Sequence, residues 1–245
     1  MPRTAIAFAR VDLRLLIQMA LCGQLFWSGL ACADASYDQL IRQARNGDYA
    51  PALSQLRQLP AGQQTTGQVS DHLQIAGWAG LDSEVVTVYE SSGAHRTLPV
   101  PALTATARAY RNLKRWDDAE RVYRLALTRE PQSLDAQLGL AVTQADGGDP
   151  QEAVRRAREL VARQPDDPSR RLALGYALTR AGDRYGALFE YDQAFLRASD
   201  NPEVAREYLF ALERARLPEP ALRLARNHPQ LIGPLPVARL EGELA

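Results

Sequence analysis

The chain has 245 residues, with 29 basic and 29 acidic side chains, so its formal net charge is zero. Apolar residues make up 46% and charged residues 24%, the profile of a folded protein and not of a disordered chain. The even charge balance excludes a polybasic nucleic-acid binder, and no nucleic-acid partner is expected.

Residues 1–33 differ from the rest. Arg3, Arg10 and Arg14 form a positive segment, an apolar run follows from Leu15 to Trp27, and Ala31-Cys32-Ala33 makes a small-x-small site before Asp34. This layout reads as a secretory signal peptide over 1–33. Gln18 and Gln24 interrupt the run, which is too short to span a bilayer, since that takes about 20 apolar residues. An amphipathic first helix is the bland alternative. A lipid on Cys32 is a further one, although Ser28-Gly29-Leu30-Ala31 lacks the leucine usual three residues before such a cysteine. Both cysteines, Cys22 and Cys32, fall in this segment. The exported chain therefore has no thiol for a disulfide or a zinc site. Its 26 basic and 28 acidic residues make it slightly acidic.

The next stretch reads as degenerate helical repeats over 34–99. Tyr37 to Leu59 holds a turn at Asn46-Gly47-Asp48 and a second helix through Pro51-Ala52. Val69 to Tyr89 holds a turn at Gly80-Leu81-Asp82 between apolar segments. Loops rich in Gly, Pro and Ser occupy 60–68 and 91–101.

From residue 100 a strict period appears. Ala119, Ala153, Ala187 and Ala221 follow one another at 34-residue steps, and so do Pro131 and Pro165. Around Ala119 stand Tyr110, Tyr123, Ala126 and Pro131; around Ala187 stand Gly175, Tyr191 and Ala194 at matching offsets. This is the tetratricopeptide pattern, a helix–turn–helix of about 34 residues. Its reason is steric: two antiparallel helices approach closely only where small side chains meet, and aromatic rings fill the gaps beside them. Repeats are expected at 100–133, 134–167 and 168–201, with a degenerate fourth to about 235 and the start of an incomplete one at 236–245. Turn chemistry agrees. Asp149-Pro150-Gln151-Glu152 suits a capped helix start with a capping box, Asp167-Pro168 and Asn201-Pro202 are cap–proline starts, and Asp117 suits a cap before Ala119. The expected fold is all-α, a tetratricopeptide-repeat superhelical solenoid of about six helix pairs. No segment alternates in the manner of a strand.

In such repeats the first helix of each pair lines the concave face, at places 2, 5, 9, 12 and 13 of the 34. Counted from 100, 134, 168 and 202, the candidate groove residues include Arg108, Arg111, Asn112, Asp135, Val142, Asp146, Tyr176, Arg180, Glu203, Arg206, Phe210, Glu213 and Arg214. The face is mixed in charge with two aromatic rings. It suits a protein segment that docks by aromatic anchors and charge. It equally suits a polysaccharide with free amines, which the acids would balance and the rings would stack against. Thr104 and Arg108 stand where a peptide-carboxylate clamp needs Lys and Asn, so that mode is not expected. Tyr110, Tyr123, Tyr191, Trp78 and Trp116 are read as packing residues.

Catalysis finds no support. His72, His95 and His228 are scattered without a second His or acid at metal-ligand spacing. Asp71 and His72 are adjacent and point to different sides of a helix. There is no Gly-rich phosphate loop and no Gly-x-Ser-x-Gly elbow. No enzyme activity, cofactor or metal is expected.

The weaker repeats carry a more specific likeness. Tyr37-Asp38-Gln39-Leu40-Ile41 with Ala44-Arg45, Gly47 and Pro51-Ala52-Leu53 form one block. Leu73-Gln74-Ile75-Ala76, Trp78-Ala79-Gly80 and Val86-Thr87-Val88-Tyr89 form a second, and Ala109-Tyr110-Arg111-Asn112-Leu113 with Trp116 a third. In order and spacing these blocks resemble the N-terminal periplasmic region of the poly-β-1,6-N-acetylglucosamine export porin family, over essentially all of 34–245. The resemblance implies a periplasmic repeat region that engages a polysaccharide deacetylase and guides partly deacetylated poly-N-acetylglucosamine to an outer-membrane β-barrel. No barrel strands follow here, and the last apolar segment, Val237 to Leu244, ends without a polar cap. A truncated product, a fragment or a periplasmic piece of a longer assembly is expected. The alternatives are a generic periplasmic tetratricopeptide adaptor for another envelope complex and a carbohydrate-binding surface that needs no protein partner.

Overall fold

The computed structural model describes residues 36–60, 63–93, 97–233 and 235–244, and every regular element among them is a helix. The export signal expected over 1–33 lies outside the described residues, as does His95. The chain divides into two compact units, one within 1–60 and one within 61–245. No helix among the described residues is long and apolar enough to cross a membrane.

The first unit holds α1 (36–45) and α2 (Ala50–Gln58). The chain reverses at Gly47, whose φ of +97° lies in the region that disfavours a side chain. Ile41 and Ala44 of α1 and Ala52, Leu53 and Leu56 of α2 are buried. Their spacing of three and four residues puts each set on one helix face.

The second unit holds α3 (Thr66–Trp78), α4 (Asp82–Ser92), α5 (Val100–Asn112), α6 (Trp116–Arg129), α7 (Leu134–Gly147) and α8 (Pro150–Arg163). It continues with α9 (Pro168–Arg180), α10 (Arg184–Arg197), α11 (Pro202–Arg214), α12 (Pro218–Asn227), the short α13 (Pro229–Ile232) and α14 (Leu235–Leu244). Helices α3 to α12 form five pairs, and α1–α2 makes six. Within this unit each pair packs on the next, and successive first helices also touch: α3 with α5, α5 with α7, α7 with α9, α9 with α11. The second helices α4, α6, α8 and α10 make no comparable contacts with one another. The first helices are therefore the inner layer and the second helices the outer one. This is a tetratricopeptide-repeat solenoid, in which each pair buries its apolar face on its neighbours.

The 34-residue period is written in the backbone as well as in the side chains. Gly80, Lys114, Gly148, Gly182 and Arg216 each close a first helix with positive φ, between +59° and +130°. One residue later, the amides of Leu81, Arg115, Asp149, Asp183 and Leu217 donate to the carbonyls of Ala76, Tyr110, Gln144, Leu178 and Leu212 at 2.9–3.1 Å. This is the Schellman closure, which satisfies carbonyls left open at a helix end. It reaches back to Gly80, so the strict period begins one pair earlier than residue 100.

Helix starts follow side-chain chemistry. Thr65 and Gln68 form a reciprocal capping box on α3. Asp149, Asp167, Asp183 and Asn201 each accept from a backbone amide in the first turn of their helix. Two expectations are corrected. Asp117 does not cap α6, because the helix already begins at Trp116 and its N-cap position is Arg115. The box expected at Asp149 is half made: Asp149 accepts from the Glu152 amide, but the Glu152 carboxylate turns to Arg155 and Arg156.

Ala119, Ala126, Ala153, Ala187, Ala194 and Ala221 are buried, and so are Tyr110, Tyr123 and Tyr191. Tyr110 meets Tyr89 edge-on at 6.1 Å and donates to Glu90. Tyr123 lies on Gly139, where a methyl group would sit 2.2 Å from Cζ. Tyr191 lies on Gly175, where it would sit 3.0 Å from the ring. Pro131 and Pro165 do not pack as the alanines do. Both are exposed in the turns between pairs, where their carbonyls accept from Gln137 and Arg171. At the end of the unit α14 lies on α12, and Leu240 is fully buried beside Leu209, Leu212 and Leu222. Ion pairs Arg239–Glu213 and Arg226–Glu241 hold it there. The last pair is thus covered by α14, where the sequence pattern suggested only the start of another repeat.

Candidate functional site

The inner layer presents two neighbouring hollows. The first, of about 470 Å³, is lined by Gln74 and Trp78 of α3, Thr104, Arg108 and Arg111 of α5, and Asp135, Leu138 and Val142 of α7, with Tyr123 at its base. The second, of about 390 Å³, is lined by Arg111, Leu138 and Val142, by Leu172 and Tyr176 of α9, by Tyr191, and by Glu203 and Glu207 of α11. Arg111, Leu138 and Val142 border both. The two hollows therefore make one groove along successive first helices, as the stacking of α5, α7, α9 and α11 requires.

The charges in this groove are largely unspent. Arg108, Arg111, Asp135, Glu203 and Glu207 make no side-chain hydrogen bond or salt bridge among the described residues. Glu203 and Glu207 are one helical turn apart on α11, where like charges repel. Burial, followed by the charge of Glu203, holds the Glu207 carboxyl above its ordinary pKa, while Arg214 and Arg206 pull it the other way. One wall is fixed by a bond across the pairs. The Tyr176 hydroxyl donates to Asp146 Oδ1 at 2.6 Å, and Arg180 Nε approaches the same oxygen at 3.3 Å. Burial and this bond push the Tyr176 phenol up to about 12. Tyr176 is therefore a neutral, oriented ring at the groove surface at any physiological pH.

The thirteen candidates from the sequence divide accordingly. Arg108, Arg111, Asp135, Val142, Tyr176 and Glu203 line the two hollows. Asp146 and Arg180 hold the wall. Asn112 turns away and donates to Asp82 at the start of α4. Glu213 pairs with Arg239 of α14, and Arg214 lines a separate hollow of about 260 Å³ with Arg184 and Ala187. Arg206 and Phe210 are exposed on α11 and border neither hollow.

Some groove residues were not found from the sequence. Gln74 and Trp78 stand at places 9 and 13 if counting begins at 66, one period before 100. Gly80, 68 residues before Gly148, was the available signal. Trp78, expected from the sequence to pack, is instead 42% exposed and lines the first hollow. Trp116 does pack: a methyl group on Gly147 would sit 2.9 Å from its Cβ. Glu207, at place 6, belongs to none of the counted places. His72 also gains a partner unseen in the sequence. It is buried between α3 and α4, with Nε2 2.7 Å from Glu84 Oε1, across a turn that local spacing does not register. Among the described residues no group of three His, Cys, Asp or Glu side chains is placed to hold a metal ion.

Comparison with known proteins follows the same lines. The tetratricopeptide-repeat family model matches residues 112–174. The chain is 35% identical over 182 residues to the poly-beta-1,6-N-acetyl-D-glucosamine export protein of Escherichia coli K12. The match takes in 74% of this chain and 22% of the relative, so the chain spans about a fifth of the length of that protein. Among solved structures, a tetratricopeptide repeat protein of Parabacteroides merdae aligns over 85% of both chains, with a TM-score of 0.64 at 16% identity. A thermophilic tetratricopeptide-repeat protein of Thermus thermophilus aligns over 71% of this chain and 98% of its own, with a TM-score of 0.59 at 17% identity. These two share the fold.

Proposed function

We propose that this chain is a non-catalytic repeat scaffold in the export of poly-β-1,6-N-acetylglucosamine, acting in the periplasm beside an outer-membrane β-barrel. The observation that carries the reading is the 35% identity to the E. coli export protein across three quarters of the chain. The groove has chemistry suited to a partly deacetylated polymer. Each free amine of such a polymer is a cation, and Asp135, Glu203 and Glu207 are unpaired carboxylates along one path. Trp78 and Tyr176 offer ring faces for the sugar. The scaffold would also hold the periplasmic deacetylase, so that the polymer is released where it must enter the pore. Tethering raises the local concentration of the next encounter without any new contact. The amino-terminal segment 1–33, read as an export signal, supports the location.

The test is a titration of the chain with partly deacetylated and with fully acetylated polymer, alongside co-purification with the cognate deacetylase. Binding of the deacetylated form, weakened by Glu203→Gln with Glu207→Gln, is the expected result. Equal binding of both polymers would remove the role of the carboxylates. Binding of neither polymer nor deacetylase would overturn the reading.

A further inference from the structure

The outer layer carries a second feature, independent of the groove. On α10, Tyr185, Phe189 and Leu196 are 70%, 58% and 67% exposed. Steps of four and seven residues set them on one face, about 16 Å from end to end at 1.5 Å per residue. The core does not use them. Large apolar side chains gathered on one exposed helix face mark an interaction surface more often than singly scattered ones do.

The sister pairs show that the fold does not ask for them either. At the places of Tyr185 and Phe189, one or two periods away, stand Asp117 and Arg121, Gln151 and Arg155, and Glu219 and Arg223, all exposed. Three residues beyond the arginines stand Arg124, Arg158 and Arg226, where α10 has Asp192. Outer helices α6, α8 and α12 thus repeat a pair of arginines, and α10 alone among these four replaces it with an apolar patch. On either side the charge is positive: α8 carries four arginines against two acids, and α12 two against one. Arg158 and Arg223 make no hydrogen bond or salt bridge among the described residues.

We propose that the outward face of α10 is a docking site for a segment of another protein that presents apolar side chains at helical spacing between acidic residues. The apolar side chains would cover Tyr185, Phe189 and Leu196, and the acids would meet Arg158 of α8 and Arg223 of α12, since Arg155 and Arg226 already pair with Glu152, Glu159 and Glu241. A second copy of this chain fits badly. A two-fold contact on this face would set one arginine row against another. An anionic membrane fits less well than a peptide, because α10 is itself charge-balanced and Asp192 sits inside the patch.

The test uses the full chain and two synthetic amphipathic helices with the same Leu and Phe positions, one flanked by Glu and one by Lys, followed by fluorescence anisotropy. The Glu peptide is expected to bind and the Lys peptide to bind roughly tenfold more weakly or worse. The double variant Tyr185→Gln, Phe189→Arg installs what α8 carries at the same places, so the fold accommodates it. It should lose about tenfold in affinity for the Glu peptide with an unchanged thermal melt. Failure of the Glu peptide to bind, or equal binding by the double variant, would overturn the proposal. So would dimerisation of the parent, or its flotation with phosphatidylglycerol vesicles, if the double variant abolished it.

Discussion

The pair α5–α6 and the pair α9–α10 are built on one plan, and their differences show which parts of the plan are rigid. Each places a tyrosine, Tyr123 or Tyr191, four residues after a buried alanine, Ala119 or Ala187. Each tyrosine needs a glycine to lie on, but they find it in opposite directions. Tyr191 lies on Gly175 of its own pair, whereas Tyr123 lies on Gly139 of the next. The equivalent of Gly175 in the earlier pair is Ala107, fully buried, so the flat surface is supplied from across the stack. Close approach is conserved within the molecule; the helix that yields to it is not.

The largest effect should separate the two alanines. Ala119 is fully enclosed, whereas Ala187 borders the hollow it shares with Thr179, Arg184 and Arg214. Ala119→Leu has no room and should lower stability by about 3 kcal/mol. Ala187→Leu can direct part of the new side chain into the hollow and should cost about 1 kcal/mol. Chemical denaturation of both variants checks the order. Equal losses would mean that the hollow gives no relief.

The next effect separates the glycines. A methyl group on Gly139 meets the buried Tyr123 ring at 2.2 Å, a clash that only a displacement of the ring relieves, while one on Gly175 meets Tyr191 at 3.0 Å and asks for a shift of a few tenths of an ångström. Alanine also gains about 1 kcal/mol over glycine inside a helix. Gly139→Ala should still destabilise by about 1–2 kcal/mol, and Gly175→Ala should be close to neutral. Denaturant midpoints that fall alike would show that the two rings are held equally tightly.

A smaller effect lies at the turns. The later pair closes its first helix on Gly182 at φ +84°, the earlier one on Lys114 at φ +60°. A side chain in this region costs about 1–2 kcal/mol, partly offset by the greater freedom of glycine in the unfolded chain. Gly182→Ala should cost about 1 kcal/mol, and Lys114→Gly should gain about half that. The melting temperatures should therefore move in opposite directions; a fall for Lys114→Gly would mean that the lysine makes a compensating contact.

These turns also explain what could be read from the sequence. Ala119, Ala153, Ala187 and Ala221 were legible because steric closeness leaves few residue types, so the period survives in the letters. The fold followed from them. The backbone conformation at place 15 recurs just as strictly, but Lys114 and Arg216 hide it, because this strain is tolerable for an ordinary residue. Counting from 100 therefore leaves the earlier pair, itself expected between Val69 and Tyr89, outside the strict register, and with it the groove places of Gln74 and Trp78. Groove positions are harder still. They face solvent, where nothing restricts residue type, so the same count gives Arg206 and Phe210 with Glu203, although of the three Glu203 alone lines either of the two hollows of the groove. The pairing of Glu213 with Arg239 depends on α14, which the repeat pattern does not describe.

The smallest effect tests the two hollows themselves. Beneath α5 the groove holds Arg108 and Arg111 against Asp135; toward α9 it holds Arg111 against Glu203 and Glu207. The second hollow thus carries an excess of carboxylate, and burial with Glu203 nearby raises the Glu207 pKa above its ordinary value of 4.5. A raised folded-state pKa means that the protonated form is favoured by folding. That stability is fully present below pH 4.5 and is lost as the pH rises through the folded-state value. Glu207→Gln removes the carboxylate and with it the loss. The variant should melt slightly higher than the parent at pH 8, and the difference should shrink toward zero at pH 4. Asp135→Asn in the first hollow, where the arginines outnumber the acid, should show no such gain at pH 8. A Glu207→Gln difference that stays constant from pH 4 to pH 8 would mean that the ionised carboxylate is no burden, and that the second hollow needs no cation to complete it.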